Sequence, residues 1–180
     1  TVLPLVTGNI ISRPDSVICE GSLFNNLGAS APGGGDLAYV YQWQDSIPGA
    51  GWLPSSGINL NQTYTPDTTE YATLEQKYFR RVVWSGPDSV CVSSSSPILM
   101  TRYHYIENNV ISKDTTICSG TVPPALTGSV PVKGDGTYTY IWQDSISPGS
   151  WATKGTEISP YQPVALTDTT WYRRIVNSSK

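Results

Sequence analysis

The feature that most constrains this chain is a long internal repeat, in which residues recur without a gap at an offset of 99. The first copy contains Tyr39, Tyr41, Trp43, Gln44, Asp45, Ser46, Ile47 and Trp52, and the second contains Tyr138, Tyr140, Trp142, Gln143, Asp144, Ser145, Ile146 and Trp151. Tyr78–Val83 also matches Trp171–Val176, at an offset of 93. A period near one hundred residues is typical of tandem domains, because solenoid units repeat every ~20–50 residues. The chain is therefore expected to fold twice into the same module.

The residues of the repeat favour β-structure. Tyr39–Gln44 alternates between large apolar and polar side chains, which gives a strand two distinct faces. Aromatic residues make up 11% of the 180 residues, and the 16 Gly and 14 Pro supply many turns. The pattern predicts an all-β fold of tandem immunoglobulin-like β-sandwiches. Strands are expected near 15–20, 25–31, 37–45, 58–64, 77–85, 89–93 and 97–106, and again near 112–118, 125–131, 137–144, 157–162 and 169–177.

Four tryptophans hold equivalent positions in the two copies. Trp43 and Trp142 end the alternating segments, and we expect them to anchor the two cores. Trp52 and Trp151 follow glycine-containing turns. They are expected either to pack back over the sheet or to stand exposed as platforms for stacking a sugar ring.

The repeats are displaced from the chain ends. Asn9–Ser12 resembles Asn109–Ser112, so residues 1–8 correspond to residues 101–108. The predicted organisation has three parts: residues 1–8 as the last strand of a preceding repeat or as a donor strand, residues 9–108 as the first immunoglobulin-like repeat, and residues 109–180 as the second repeat without its final strand. A sandwich without that strand exposes unpaired backbone groups, which a strand from a neighbouring repeat or subunit could fill.

The chain has three cysteines, Cys19, Cys91 and Cys118. If each repeat is a sandwich, Cys19 and Cys91 lie where its first and last strands can approach, so we predict a disulfide between them. Cys118 is then unpaired. A metal site is the weaker alternative, since no Cys-x-x-Cys occurs and His104 is the only histidine. Cysteines in this arrangement favour an oxidising, extracellular location.

The second repeat resembles a known group of domains through the following segments: Thr116–Gly120, Pro123–Pro124, Leu126–Gly128, Gly134–Tyr140, Trp142–Gln143 and Trp171–Val176. These look like the Ig-like, PKD-like repeats of long Bacteroidota cell-surface proteins. The resemblance covers nearly the whole chain. It implies a large secreted protein of the kind exported by the type IX route, such as an adhesin, a gliding-associated protein or a surface fibre.

The same resemblance implies O-glycosylation, because such proteins carry glycans at Asp-(Ser/Thr) followed by an aliphatic residue or Thr. Seven triplets of this form occur. The hydroxyls that would carry glycan are Ser16, Ser46, Thr68, Ser89, Thr115, Ser145 and Thr169. Taken one at a time, each triplet has a second interpretation, since Asp followed by Ser or Thr favours turns and strand starts.

The sequence offers no recognisable catalytic pattern. His104 lies alone in a strand-like segment, and Gly33–Gly35 lacks the following Lys and helix of a phosphate-binding loop. The net charge is −3 with scattered Lys and Arg, which argues against nucleic acid, and no apolar run reaches the ~20 residues that span a bilayer. We expect no enzyme activity, cofactor or metal.

The sequence therefore predicts a structural repeat of an extracellular fibre or adhesin stalk, whose partners are adjacent repeats, copies of itself, glycans or host surfaces. The alternatives are a carbohydrate-binding module and an ancillary domain of a secreted enzyme. Exposed, coplanar Trp rings would favour sugar binding, whereas buried ones would favour a spacer.

Overall fold

The structure is a computed structural model that describes residues 2–12, 16–68, 76–112, 114–146, 149–156 and 160–178. The chain divides into two compact units, Thr1–Tyr103 and His104–Lys180, which are described separately below. Across the described ranges both units are all-β. Their regular structure consists of strands and short 3-10 turns, one of which is Pro87–Ser89. The prediction of an all-β chain is confirmed.

The described residues of unit 1 form eight strands. They are β1 (Ile11–Ser12), β2 (Val17–Cys19), β3 (Gly28–Ala29), β4 (Tyr39–Ser46), β5 (Leu53–Pro54), β6 (Gln76–Ser85), β7 (Cys91–Ser94) and β8 (Ile98–Tyr103). The main sheet has the order β2-β8-β6-β4-β5, and β7 pairs with the remaining part of β6. A separate two-stranded sheet joins β1 to β3. The arrangement of sheets is consistent with a β-sandwich.

The core of unit 1 is built on the alternation of β4 and β6. Trp43 points inward from β4 and stacks on Tyr64, with ring centroids 5.7 Å apart. The ring centroid of Phe79 in β6 lies 5.8 Å from that of Tyr64, and Met100 of β8 belongs to the same buried cluster. Phe24 and Leu27 complete this cluster from the chain that precedes β3. Burial of these large side chains supplies the main stabilisation of the unit.

In the part of unit 2 that the structure describes, the centre of this framework recurs as three strands, β9 (Tyr138–Ser145), β10 (Ala152–Thr156) and β11 (Trp171–Ser178). The sheet order is β10-β9-β11. Trp142 lies opposite Arg174, just as Trp43 lies opposite Arg81 in unit 1. The offset is 99 between β4 and β9, and it is 93 between β6 and β11. With these offsets, equivalent residues lie opposite each other in both units.

The segment before the first repeat belongs to the unit that follows it. The Pro4 carbonyl accepts a hydrogen bond from the Gly35 N–H at 2.9 Å, and Thr7 pairs with Gly33. Val6 is buried among these residues. Residues 4–7 thus pack on unit 1 itself, whereas the sequence assigns residues 1–8 to the last strand of a preceding repeat or to a donor strand.

Unit 2 has the same opening segment. The His104 carbonyl accepts from the Gly134 N–H at 3.2 Å, and Glu107 pairs with Val132. The division between units consequently falls between Tyr103 and His104, earlier than the predicted boundary at 108/109. The physical reason is that this segment hydrogen-bonds to the loop that precedes the next long strand.

Several short strands differ from the sequence-based expectation. The segment predicted at 25–31 forms a strand only at Gly28–Ala29, and that predicted at 58–64 contributes one bridge, from Tyr64 to Leu27. Described residues of the segment predicted at 112–118 form no strand, and the part of 157–162 that the structure describes contributes a bridge from Tyr161 to Leu126. Strand β10 and the two-residue β5 lie where no strand was expected.

Candidate functional site

Each unit carries an arginine stacked on a tryptophan at the outer surface of its sheet. In unit 1 the Arg80 guanidinium carbon lies 4.3 Å from the centroid of the Trp52 ring, and Arg80 Nε donates to Gln44 Oε1 at 2.8 Å. Both the distance and the stacking are those of a cation–π contact. The glutamine fixes the guanidinium in place over the indole.

The same trio recurs in unit 2. Arg173 lies 4.4 Å above the Trp151 ring, and its Nε donates to Gln143 Oε1 at 2.8 Å. Trp52 and Trp151 are both half-buried. One face of each candidate sugar platform is therefore covered by the protein's own arginine.

A second arginine of each unit lies beneath the sheet. Arg81 is fully buried, and its Nε donates to Asn9 Oδ1 at 2.9 Å. Its terminal nitrogens donate to the carbonyls of Gln62 at 3.1 Å and Ser30 at 2.7 Å. Burial lowers the pKa of the Arg81 guanidinium from its ordinary value, because desolvation penalises the charged form, while nearby Tyr41 acts in the opposite direction.

Arg174 holds the equivalent place in unit 2. Its Nε donates to Asn109 Oδ1 at 2.9 Å, and Nη2 donates to the Ser129 carbonyl at 2.9 Å. Burial again lowers the pKa of this guanidinium. The arginine–asparagine contact thus ties the opening segment of each unit to its longest strand.

In each unit, an aspartate in the loop before the first long strand is hydrogen-bonded to a serine at the end of the neighbouring long strand. We call this pair the aspartate–serine clasp. Asp36 Oδ1 accepts from Ser85 Oγ at 2.7 Å, from the Gly86 N–H at 3.0 Å and from the Ala38 N–H at 3.1 Å. The Ser85 hydroxyl is the main reason that the pKa of Asp36 lies below its ordinary value. In unit 2, Asp135 and Ser178 form the same pair, with oxygens 2.5 Å apart.

One pocket on the described surface is lined by uncharged side chains. A shallow depression of about 280 Å³ is lined by the uncharged residues Asn26, Ile58, Asn61, Thr63 and Thr65. In the described part of the chain, no group of three His, Cys, Asp or Glu side chains is placed to hold a metal ion. His104 contributes its main-chain carbonyl to the loop at Gly134.

The two predicted core anchors lie at the centre of their units. Trp43 and Trp142 each have 0% of their surface exposed. The Trp43 indole N–H donates to the Asn61 carbonyl at 3.0 Å, which satisfies its one polar atom. Trp142 stacks on Tyr161 with centroids 5.8 Å apart, as Trp43 does on Tyr64.

The predicted disulfide is wrong, because Cys19, Cys91 and Cys118 are all free thiols. Strand register explains the separation. Cys19 pairs with Tyr103, beyond the Gln76 end of β6, whereas Cys91 pairs with Ser85 at the other end of that ten-residue strand. At ~3.3 Å per residue, the length of β6 far exceeds the ~7 Å between Cα atoms that a disulfide tolerates.

The seven candidate glycosylation hydroxyls occupy different environments. Ser46 and Ser145 are buried, and Ser46 Oγ donates to the Ala50 carbonyl at 2.9 Å. A glycan at either serine would have to displace packed neighbours, so the geometry disfavours these two positions. Exposed hydroxyls are those of Ser89, Thr115 and Thr169, and partly exposed ones are those of Ser16 and Thr68. Asp15, the acidic member of the first triplet, lies outside the described residues.

Sequence reasoning did not assign a role to Arg80, Arg81, Asn9 or their counterparts. The available signal was their recurrence, since Arg80–Arg81 returns as Arg173–Arg174, and Asn9 returns as Asn109. What the sequence could not supply was the face on which each arginine lies. Adjacent residues of a strand point to opposite faces, so one arginine caps an indole outside while the next enters the core.

The fold and these contacts define the class of protein as a tandem all-β repeat, with two units built on one framework of strands and side-chain contacts. The chain belongs to the family described as "Domain of unknown function (DUF8696)", whose profile matches residues 7–102 and 107–180. The two matches begin in the opening segment of each unit. Among curated proteins, none matches the chain. In the residues that the structure describes, no helix has the length and apolar character needed to cross a membrane.

Proposed function

We propose that the chain is a non-catalytic structural repeat of an extracellular surface fibre or adhesin stalk, built from immunoglobulin-like β-sandwiches. The observation that carries this proposal is the repetition of side-chain contacts, and not of strands alone. The capped indole, the buried arginine and the aspartate–serine clasp occur once in each unit. A module whose polar side chains are repeatedly used to join its own segments is suited to serve as a spacer.

The chemistry of the described surface supports the non-catalytic part of this proposal. The depression near Asn26 has no titratable side chain among its lining residues. The charged side chains of Arg81 and Asp36 are already hydrogen-bonded to other groups of the protein. Residues with such partners hold segments together and are not poised to meet a substrate.

The extracellular location is proposed from the resemblance to Bacteroidota surface repeats. The cysteines no longer contribute to this argument, because all three are free. Export by the type IX route and glycosylation at the exposed Ser89, Thr115 and Thr169 are parts of the same proposal. The intact mass of the protein isolated from its native cells tests the glycans: hexose-sized increments are expected, and the bare polypeptide mass would reject them.

Carbohydrate binding is the less favoured function. A sugar ring stacks on an open aromatic face, whereas Arg80 and Arg173 each cover one face of their tryptophan. A glycan-binding assay compares the wild type with Trp52→Ala and with Trp84→Ala, a control on the outer face of β6. We expect no retained glycan in any of the three. Retention that Trp52→Ala abolishes and Trp84→Ala preserves would establish the binding module instead.

Imaging tests the proposed function directly. Gold-labelled antibodies raised against this chain are applied to intact native cells and to the fibrous material shed from them. Labels spaced along extended surface structures are the expected result. Labelling only after the cells are permeabilised would contradict the proposed location, and labelling confined to compact secreted particles would contradict the stalk.

A further inference from the structure

The arginine that lies over a tryptophan in each unit has unused hydrogen-bond donors. A guanidinium carries several N–H groups, and only the one on Nε is bound, to Gln44 in unit 1 and to Gln143 in unit 2. The Nη nitrogens of Arg80 and Arg173 form no hydrogen bond with any described residue. Neither arginine has a buried nitrogen without a partner, so these Nη groups reach solvent.

Two contacts hold each of these guanidinium groups in place. The guanidinium carbon of Arg80 lies 4.3 Å from the centroid of the Trp52 ring, and that of Arg173 lies 4.4 Å from the Trp151 ring. The hydrogen bond from Nε to the glutamine oxygen then restricts rotation of the guanidinium over the indole. A group that is already held in this way loses little further conformational freedom when it binds a ligand. We call each arginine with its tryptophan and glutamine a guanidinium fork.

The positive charge of each fork is not neutralised by a described residue. Every lysine that the structure describes is paired with a carboxylate, whereas Arg80 and Arg173 form no such pair. The residues two positions away along β6 and β11 share the face of these arginines, because alternate strand residues point the same way. All of them are uncharged: Tyr78, Val82, Trp171 and Ile175.

We propose that the two guanidinium forks are binding sites for a carboxylate, and that the ligand is an acidic polypeptide segment. The outward Nη groups of one guanidinium present two N–H donors side by side, and these match the two oxygens of a carboxylate. The carboxylate of an Asp or Glu side chain stands on a short flexible arm, so it reaches the end of the guanidinium without a further contact. The ligand is thus recognised by its carboxylates and not by its sequence.

The covered indole distinguishes this ligand from an acidic sugar. The carboxylate of a uronic acid is attached directly to the sugar ring, so the ring must be accommodated beside the guanidinium. The usual surface for such a ring is an open aromatic face. Arg80 and Arg173 themselves cover a face of Trp52 and Trp151.

Repetition of the fork compensates for the weakness of a single site. One solvent-exposed ion pair contributes little binding free energy. Both units carry the fork, and a ligand with several carboxylates is released only when all of its contacts are broken at once. We therefore expect measurable binding of a polymer that repeats the carboxylate, and negligible binding of acetate.

The test titrates the full chain with poly-L-glutamate at about 0.15 M salt, where exposed charges more than ~8 Å apart are largely screened. Combining Arg80→Gln with Arg173→Gln should weaken binding at least ~10-fold, because both the charge and the paired donors are lost. Combining Arg80→Lys with Arg173→Lys keeps the charge without the fork and should still cost ~3-fold or more. The matched control combines Lys133→Gln with Lys154→Gln, which removes the same charge from the surface and should change binding less than ~2-fold.

A measurement on the unsubstituted chain does not depend on the stability of these variants. In NMR spectra of the arginine side chains, the Nη signals of Arg80 and Arg173 should shift when poly-L-glutamate is added. Those of the buried Arg81 should not shift, because its donors are bound to the protein.

The proposal would be overturned by absence of binding, by unshifted Nη signals, or by equal losses in the arginine and lysine variants. Polygalacturonate presents the same carboxylate on a polysaccharide. If it bound as tightly as poly-L-glutamate, the assignment to a polypeptide would be overturned. None of these results alters the antibody labelling of surface fibres, so the proposed structural role is tested separately.

Discussion

At the residue scale, the most unusual group is the Arg81 guanidinium, which is fully buried and hydrogen-bonded to neutral acceptors. A buried charge is tolerated only where its donors are satisfied, since each unsatisfied donor retains its desolvation cost. Asn9 is the side-chain acceptor, and its own Nδ2 donates to the carbonyls of Arg81 at 3.0 Å and Ser93 at 2.9 Å. This asparagine therefore joins three segments of unit 1.

Replacing Asn9 tests that role. Asn9→Ala should lower the free energy of unfolding of unit 1 by about 2–4 kcal/mol, because it leaves a buried guanidinium donor without its acceptor. The matched variant Asn109→Ala should cost unit 2 only about 1 kcal/mol, because Asn109 is exposed to solvent. Denaturant titration followed by amide exchange along β6 and β11 separates the two effects. Equal losses in both units would contradict this account of the buried arginine.

Asp36 predicts the response of unit 1 to acid. The pKa of Asp36 is lowered in the folded state, chiefly by the Ser85 hydroxyl, from an ordinary value of 3.8. A depressed pKa means that the stabilisation is present above pH 3.8 and is lost as the pH falls through the lower folded value. We therefore expect Asp36→Asn to flatten the loss of thermal stability between pH 4 and pH 2. Parallel pH profiles for wild type and variant would refute the role of the clasp.

At the scale of elements, the long central strands could be predicted and the short peripheral ones could not. The alternation in Tyr39–Gln44 determines which face of β4 enters the core, and its copy determines the same for β9. Pairs such as β1–β3 contain two residues per strand, too few to show a period. Tertiary contacts, which a sequence pattern does not show, determine where these short pairs form. They also determine the positions of Arg80 and Arg173 over their tryptophans.

The cysteine prediction failed at this same scale. Proximity of two cysteines was inferred from strand order, whereas the parallel pairing of β2 with β8 places Cys19 at the end of the sheet away from Cys91. Thiol titration of the denatured, unreduced protein should therefore find three reactive thiols per chain. Cys19→Ser and Cys91→Ser should each change the free energy of unfolding by no more than about 0.5 kcal/mol. A single reactive thiol and a Cys19–Cys91 peptide in a digest would restore the disulfide.

At the scale of the whole molecule, the repeat implies two cores, each formed by its own part of the chain. The aromatic stack of Trp43, Tyr64 and Phe79 belongs entirely to unit 1, and its copy at Trp142, Tyr161 and Tyr172 belongs to unit 2. Tandem cores of this kind are expected to unfold as separate cooperative units. A spacer under tension would then lengthen in steps.

Stretching single molecules between a surface and a cantilever measures this property. With ~3.6 Å of extended chain per residue, the units Thr1–Tyr103 and His104–Lys180 should release roughly 37 nm and 28 nm, less the length that each folded unit already spans, in two separate events. Unit 2 should open at the lower force, because its described residues form a three-stranded sheet, whereas those of unit 1 form a six-stranded sheet. One event that releases the whole chain at once would show a single continuous core and contradict the account.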